Sequence, residues 1–295
     1  MAEYSKSLSS HEKALEIYQK TLPSNHPDLA TSYNNIGSVY NKMGEYSKAL
    51  SYYEKALEMI HKTLPSNHPD FAQLYINIGL VFDNMVEYSK ALSYYEKALK
   101  ICEKTLSSNH PLLATLYNNI GYTYGNMGVY SKALSYYEKA LEIRHETLSS
   151  NHPLLATSYN NIGMMYFNMG EYSKALSFYE KAFEIQEKSL PSNHPHLATS
   201  YNNIGGVYDK MGEYSKALSF YEKAFEIREK GLSPNHPDLA ISYNNIGSVY
   251  NNMKDYSKAL SYYDRALDIF QHTLPPTDPY IKSVKESIEN VKKKL

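Results

Sequence analysis

The sequence predicts an all-α fold built from repeated pairs of helices. A His-Pro dipeptide recurs every 42 residues without insertion or deletion, which is the mark of a repeat architecture. Between these dipeptides, apolar residues recur at the three- and four-residue spacing of amphipathic helices, and no stretch alternates as a half-buried strand would. The dipeptides, which open repeats one to six, are His26-Pro27, His68-Pro69, His110-Pro111, His152-Pro153, His194-Pro195 and His236-Pro237.

Each repeat is predicted to hold a first helix and a second helix. In repeat one, Asn25 or His26 is suited to cap the first helix, with Pro27 in a first turn that needs no N–H donor. This helix is predicted to end at Gly44, because glycine readily adopts the left-handed conformation of a C-terminal cap. The second helix then continues to about Leu64, where prolines and an asparagine open the next repeat.

The constant spacing predicts a single array over residues 1–295. Residues 1–25 form a half repeat with a second helix only, 26–277 form the six full repeats, and 278–295 form a C-terminal capping helix. The second helix at the start lacks its partner helix. This predicts either a longer chain or end-to-end self-association through the uncapped N-terminal helix.

Composition and charge exclude several classes of protein. Lys and Arg number 30 and Asp and Glu 31, so no basic excess is present to track nucleic acid. The single cysteine, Cys102, permits neither an internal disulfide nor a thiolate zinc site. Neither a signal peptide nor an apolar run long enough for a membrane span is apparent. A cytoplasmic protein without membrane or nucleic-acid contact is therefore predicted.

No catalytic or cofactor motif is found. The chain has no phosphate-binding glycine loop, no nucleophile elbow and no HExxH motif. Six of the 11 histidines belong to the His-Pro dipeptides, one per repeat, which favours helix capping over metal binding. The sequence predicts a non-enzymatic protein with no cofactor and no metal.

The residues that recur unchanged carry a resemblance to a known family. They include Tyr33, Ile36 and Gly37 on the first helix and Ala49, Tyr53 and Ala56 on the second. This pattern resembles the tetratricopeptide repeat, with Tyr in place of its usual Trp. The 42-residue length and the His-Pro junction resemble the kinesin light chain class, found also in nephrocystin-3-like proteins. The resemblance implies a right-handed α-solenoid that binds proteins in a concave groove lined by first helices.

One asparagine per repeat is predicted to hold a peptide. It lies on the stripe of the first helix opposite the core stripe, and it never varies, although nothing in the core requires an amide. The resemblance implies that these amides bond the backbone of an extended peptide. The alternatives are that they cap or bond a neighbouring helix, or that they are simply inherited from recent duplication. They are Asn35, Asn77, Asn119, Asn161, Asn203 and Asn245.

A second group of positions on this stripe varies and becomes apolar in repeats two to four. Large exposed apolar residues grouped on one face are unusual, so they predict an apolar pocket that grips side chains of a ligand. The alternative is that they pack against adjacent helices. They are Ile76, Leu80, Tyr122, Met164 and Phe167.

The charges of the predicted groove favour a neutral ligand. Lys42 and Lys210 are its basic residues, partly offset by Asp83 and Asp209. Two arginines of second helices, Arg144 and Arg228, are predicted to face solvent. The predicted function is a scaffold for protein–protein interaction that binds a peptide segment in the groove. The alternatives are a structural or self-associating array, and a regulatory repeat fragment of a larger multidomain protein.

Overall fold

A computed structural model describes residues 2–295, with side chains from residue 4 onward. Fourteen α-helices and no strand are found in this range, which confirms the all-α fold of consecutive helix pairs. The chain divides into two compact bodies, one ending at Thr147 and the other running Leu148–Leu295. Each body is described by itself.

The helices of the first body follow the predicted pairs. The first helices of repeats one to three are α2, α4 and α6, and each packs against the second helix that follows it and against the one that precedes it. The helices are α1 (Ala2–Thr21), α2 (Pro27–Lys42), α3 (Tyr46–Thr63), α4 (Pro69–Asn84), α5 (Tyr88–Thr105), α6 (Pro111–Asn126) and α7 (Tyr130–Thr147).

The second body repeats this arrangement. The first helices of repeats four to six are α8, α10 and α12, each packed against its own second helix. The helices are α8 (Pro153–Asn168), α9 (Tyr172–Ser189), α10 (Pro195–Lys210), α11 (Tyr214–Gly231), α12 (Pro237–Asn252), α13 (Tyr256–Thr273) and α14 (Pro279–Lys292).

The histidines of the His-Pro dipeptides cap the first helices. In all six repeats, the histidine Nδ1 accepts a hydrogen bond from the backbone N–H two residues further on, and the proline occupies the first turn. The distance is 3.3 Å from Asp28 N to His26 Nδ1 and 3.1 Å from Asp238 N to His236 Nδ1. The capping role predicted from the sequence is confirmed.

A tyrosine of the second helix packs on a glycine of the first at the centre of each repeat. A Cβ added at Gly37 would lie 2.9 Å from Cε1 of Tyr53, which is too close for a relaxed contact. The same pairing recurs in every repeat, and the space is smallest between Gly79 and Tyr95. The glycine therefore sets how closely the two helices of a pair approach.

The turn between the two helices of repeat two carries backbone strain. Four of the six turns place glycine at a positive φ, for example 77° at Gly44, whereas repeat two has Val86 at 63°. A β-branched side chain is disfavoured in this left-handed region. Because Val86 is also exposed, its side chain gains little from packing.

Replacing Val86 with Gly is expected to raise the free energy of unfolding by about 1 kcal/mol, because the left-handed strain is relieved without loss of core contacts. Urea denaturation followed by far-UV circular dichroism measures the change. The converse variant, Gly128→Val, is the control and should lose a similar amount. Equal stability of wild type and Val86→Gly would contradict a strained turn.

Candidate binding face on the first helices

The stripe opposite the core forms an accessible surface, here called the first-helix face. In repeat one it consists of Thr31, Asn35, Ser38 and Lys42, and each body presents the equivalent residues of its own repeats. Thr31 and Lys42 are exposed, and Asn35 and Ser38 are half-buried. Lys210 is exposed as well. The face can therefore contact a ligand through its outer residues and, less freely, through its asparagines.

Asn77 and Asn245, both members of the invariant row, bond a neighbouring first helix. Asn77 Nδ2 donates to Asn34 Oδ1 at 2.7 Å, and in the second body Asn245 Nδ2 donates to Asn202 Oδ1 at 2.8 Å. These amides connect successive first helices, which is one of the alternatives that the sequence left open for this row. The remaining members of the row are likewise half-buried: Asn35, Asn119, Asn161 and Asn203.

The amide row is interrupted at Asn119. The position that would accept its bond, equivalent to Asn34, is occupied by Ile76. Ile76 is only 1% exposed and belongs to the core cluster that includes Tyr95. The prediction that Ile76 lies in an exposed apolar group is therefore wrong. The Ile76 side chain packs into the core, whereas Asn34 at the equivalent position of repeat one accepts a hydrogen bond from the neighbouring first helix.

Only part of the predicted apolar group reaches the surface. Tyr122 is 47% exposed on α6 and Met164 is 38% exposed on α8. Leu80 is half-buried and packs on a core cluster. Phe167 is half-buried too, with its ring edge-on to Tyr172 at a centroid distance of 5.6 Å. Tyr122 in the first body and Met164 in the second are thus the members of this group most open to a ligand.

Asp83 is buried, so the prediction that it offsets charge in the groove is wrong. Tyr95 Oη donates to one carboxylate oxygen of Asp83 at 2.6 Å, and Thr123 Oγ1 donates to the other at 2.8 Å. Burial raises the pKa of Asp83 in spite of both bonds. One signal was present in the sequence: the other five repeats have Val or Met at the position of Thr123.

The two arginines of second helices do not face solvent as predicted. Arg144 is buried, and burial lowers the pKa of its guanidinium. Arg228 is half-buried and donates to Ser242 Oγ at 2.8 Å, and burial lowers its pKa as well. Ser242, on the next first helix, is small enough to leave room for this long side chain. Helical periodicity within a single repeat does not show this contact, because the serine belongs to the following repeat.

A cavity of about 170 Å³ lies between α2, α3 and α4. Its apolar wall includes Ile60 and Leu74, and polar groups of Thr31, Asp70 and Gln73 line the rest. The cavity offers space for one small side chain beside the Asn77–Asn34 bond.

The described residues offer neither a metal cluster nor a membrane-spanning helix. None of them form a group of three or more His, Cys, Asp or Glu side chains arranged to hold a metal ion. Across the same residues, every helix is too short or too polar to cross a bilayer.

Known proteins provide the remaining comparison. The tetratricopeptide repeat family matches residues 1–61, 70–146, 113–188, 154–230 and 196–272. No curated protein sequence is similar enough to be counted as a relative.

Similar solved structures include BtubC (BKLC) from P. vanneervenii, which is 24% identical with a TM-score of 0.68 over 79% of this chain and 94% of that one. A kinesin light chain-like array of nearly identical repeats from P. anserina is 24% identical with a TM-score of 0.62, covering 70% of this chain and 99% of that one. The APC/C hetero-tetramer Cut9–Hcn1 is 21% identical with a TM-score of 0.65, covering 98% and 48%. At these identities the likeness is one of fold.

Proposed function

This chain belongs to the tetratricopeptide repeat family, and on that premise we propose that it is a non-catalytic cytoplasmic scaffold that binds a peptide segment of a partner protein along the first-helix face. The fold is typical of scaffolds for protein–protein interaction. The observation that carries the proposal is the exposure of Tyr122 and Met164 at a position where repeats one and six have serine.

Exposed apolar side chains at this position support ligand binding. The repeats share most of their residues elsewhere, so the packing of a repeat does not require a large side chain at this position. Aromatic residues and methionine are enriched where proteins bind one another, and burying such a side chain against a ligand supplies much of the binding energy. Tyr122 and Met164 would each contribute a contact of this kind within its own body.

The amides provide the complementary polar contacts. An asparagine side chain offers two N–H donors and one acceptor, which matches the N–H and C=O groups of an extended peptide. Asn119 lacks the amide partner that Asn77 has in Asn34, because Ile76 replaces it. Its side chain is therefore available for a peptide backbone beside Tyr122.

The charge of the face favours a neutral ligand segment. Lys42 and Lys210 are too few and too far apart in sequence to form the basic cluster that acidic peptides need. In the second body, Asp209 is already bonded by Asn252 at 2.9 Å. Cut9 of the structural comparison is assembled with Hcn1 in a hetero-tetramer, and this supports a partner protein as the source of the segment.

Substituting Asp for Tyr122 or for Met164 is expected to weaken peptide binding by about tenfold or more, because a charge at the contact must be desolvated. Peptides are first selected from a random 12-residue library displayed on phage, using the whole chain as bait. Synthetic fluorescein-labelled copies of the selected peptides are then titrated with wild type and each variant, and fluorescence polarisation gives Kd.

Matched controls exist for both variants. Met127 and Met169, which directly follow α6 and α8, are similarly exposed but lie at the turns rather than on the first-helix face. Met127→Asp and Met169→Asp should bind the selected peptides as wild type does. If folded Tyr122→Asp and Met164→Asp proteins both retain wild-type Kd values for every selected peptide, the proposed function is wrong.

A further inference from the structure

The variable position of the first-helix face lies over the hydroxyl of the buried tyrosine on the paired second helix. In repeat one, the Ser38 side chain lies beside the Tyr53 phenol and lowers its pKa, against the larger rise caused by burial. In repeat six, Ser248 and Ser287 lower the pKa of Tyr263 in the same way. A serine at the variable position thus places a hydroxyl next to the buried tyrosine of its repeat.

Repeat five has no side chain at this position. A Cβ added to Gly206 would meet a single atom within van der Waals range, Oη of Tyr221 at 3.4 Å. The tyrosine hydroxyl therefore points at the place where a side chain is missing. Gly206 creates a notch in the first-helix face with the Tyr221 hydroxyl at its floor.

The packing of the helices does not require Gly206. At the neighbouring position, packing does require glycine, since a Cβ at Gly205 would lie 3.0 Å from Cδ1 of the Tyr221 ring. Gly206 has no comparable contact, and a glycine inside a helix weakens it relative to almost any other residue. At the equivalent position, repeats one and six have Ser, and repeats two, three and four have Leu, Tyr and Met. Glycine therefore leaves an open space where the other repeats have a side chain.

The hydroxyl at the floor of the notch has no protein partner. Tyr221 is 6% exposed, and among the described residues no hydrogen bond to its Oη is found. By contrast, Tyr95 of repeat two donates its hydroxyl to Asp83. A ligand that bonds this phenol exchanges its contact with water for a direct hydrogen bond. The carboxylate of Asp209 lies near Tyr221 and disfavours an acidic ligand group in the notch.

We propose that the notch at Gly206 receives a serine or threonine side chain of the bound peptide, whose hydroxyl bonds Oη of Tyr221. The proposal rests on the proposed function, because it names the side chain recognised at one position of that face. The ligand hydroxyl takes the place that Ser38 and Ser248 occupy in their own repeats. A hydroxyl fits because it can both donate to and accept from the phenol, and because its size matches the missing side chain.

Gly206→Ser tests the proposal, because it fills the notch with a hydroxyl from the protein itself. The variant should fold and should melt at a higher temperature than wild type, since serine is the better helix residue. Phage selection of the 12-residue library on wild type should yield peptides with Ser or Thr at one fixed position. Their affinity for Gly206→Ser should fall by about tenfold or more.

Two further variants separate recognition from general structure. Tyr221→Phe removes only the hydroxyl, and because that hydroxyl has no protein partner, the fold should be kept. Changing the fixed Ser or Thr of the peptide to Ala should weaken binding to wild type, but not further weaken binding to Tyr221→Phe. This non-additivity is expected only if the two hydroxyls meet.

The outcomes distinguish this inference from the proposed function. If selected peptides bind Gly206→Ser and Tyr221→Phe as tightly as wild type, while Tyr122→Asp or Met164→Asp loses them, the notch is overturned and peptide binding stands. Selection of peptides without a Ser or Thr preference also overturns the notch. If wild type selects no peptide from the library, both proposals fail.

Discussion

Replacing Gly79 with Ala is expected to lower the free energy of unfolding by about 2 kcal/mol, because the added methyl group overpacks the core of repeat two. A Cβ at Gly79 would overlap the ring of Tyr95 more closely than at any other glycine–tyrosine pair. Urea denaturation of the purified chain measures the change.

The ring of Tyr95 has no easy way to move aside. It is fully buried, and its hydroxyl is fixed by the hydrogen bond to Asp83 at 2.6 Å. A shift of the ring would therefore break that bond or displace the second helix. Alanine is otherwise the better helix residue by about 1 kcal/mol, so the net loss is smaller than the steric cost alone.

Two variants of α10 provide the controls for Gly79→Ala. At Gly205 the added Cβ would lie 3.0 Å from the Tyr221 ring, a milder conflict, so Gly205→Ala should change stability less. At Gly206 the nearest atom is 3.4 Å away, and Gly206→Ala should raise stability by up to about 1 kcal/mol. A Gly79→Ala protein as stable as wild type would show that the helix pair tolerates a wider spacing than the structure indicates.

The fold was predictable because every repeat carries the same local sequence signals. His-Pro begins a first helix, a glycine usually ends it, and the invariant glycine and tyrosine bring the pair together. Six copies with identical spacing leave little freedom for another arrangement. The predicted boundaries in repeat one, near Pro27 and Leu64, agree with α2 and α3 to within one or two residues.

The candidate site was predicted less well, because helical periodicity within one repeat does not describe contacts with the next. Periodicity placed Ile76 and Asp83 on or near an exposed stripe, whereas both are buried against neighbouring helices. Arg228 is half-buried for the same reason, since Ser242 of the following first helix accepts its hydrogen bond. Tyr122 and Met164 are exposed as the stripe predicted.

The role of Gly206 could not be seen in the sequence at all. Two adjacent glycines in α10 look alike on the page, and only the position of the Tyr221 ring separates a packing glycine from a vacant one. The relevant distances join residues 15 and 16 positions apart (221 minus 206 and 221 minus 205) on two different helices. Only the packed structure of α10 and α11 shows these contacts.

Replacing Tyr95 with Phe is expected to lower the free energy of unfolding by about 2 kcal/mol near neutral pH, because it removes a donor from a buried carboxylate. Asp83 would keep Thr123 as a donor but would lose the shorter of its two bonds. The ring itself remains, so its packing on Gly79 is unchanged. Urea denaturation at several pH values measures the effect.

Tyr137→Phe is the matched control, since Tyr137 occupies the same position in repeat three. Its hydroxyl is buried and has no hydrogen-bond partner. Removing an unsatisfied polar atom should leave stability unchanged or raise it by about 1 kcal/mol. A loss of similar size in both variants would mean that the hydroxyls matter through shape rather than through the bond to Asp83.

The effect of Tyr95→Phe should also depend on pH, with a sign set by Asp83. Burial holds the pKa of Asp83 above its ordinary value of 3.8, so the folded protein binds this proton more tightly than the unfolded chain. Stability at this carboxyl is therefore lost as pH rises through the raised pKa. Without the Tyr95 donor, the charged form is disfavoured further. The deficit of Tyr95→Phe relative to wild type should thus be largest at neutral pH and shrink as pH falls through the raised pKa of Asp83, where the carboxyl becomes protonated. A deficit that stays constant over this range would show that the lost bond is not one to a carboxylate.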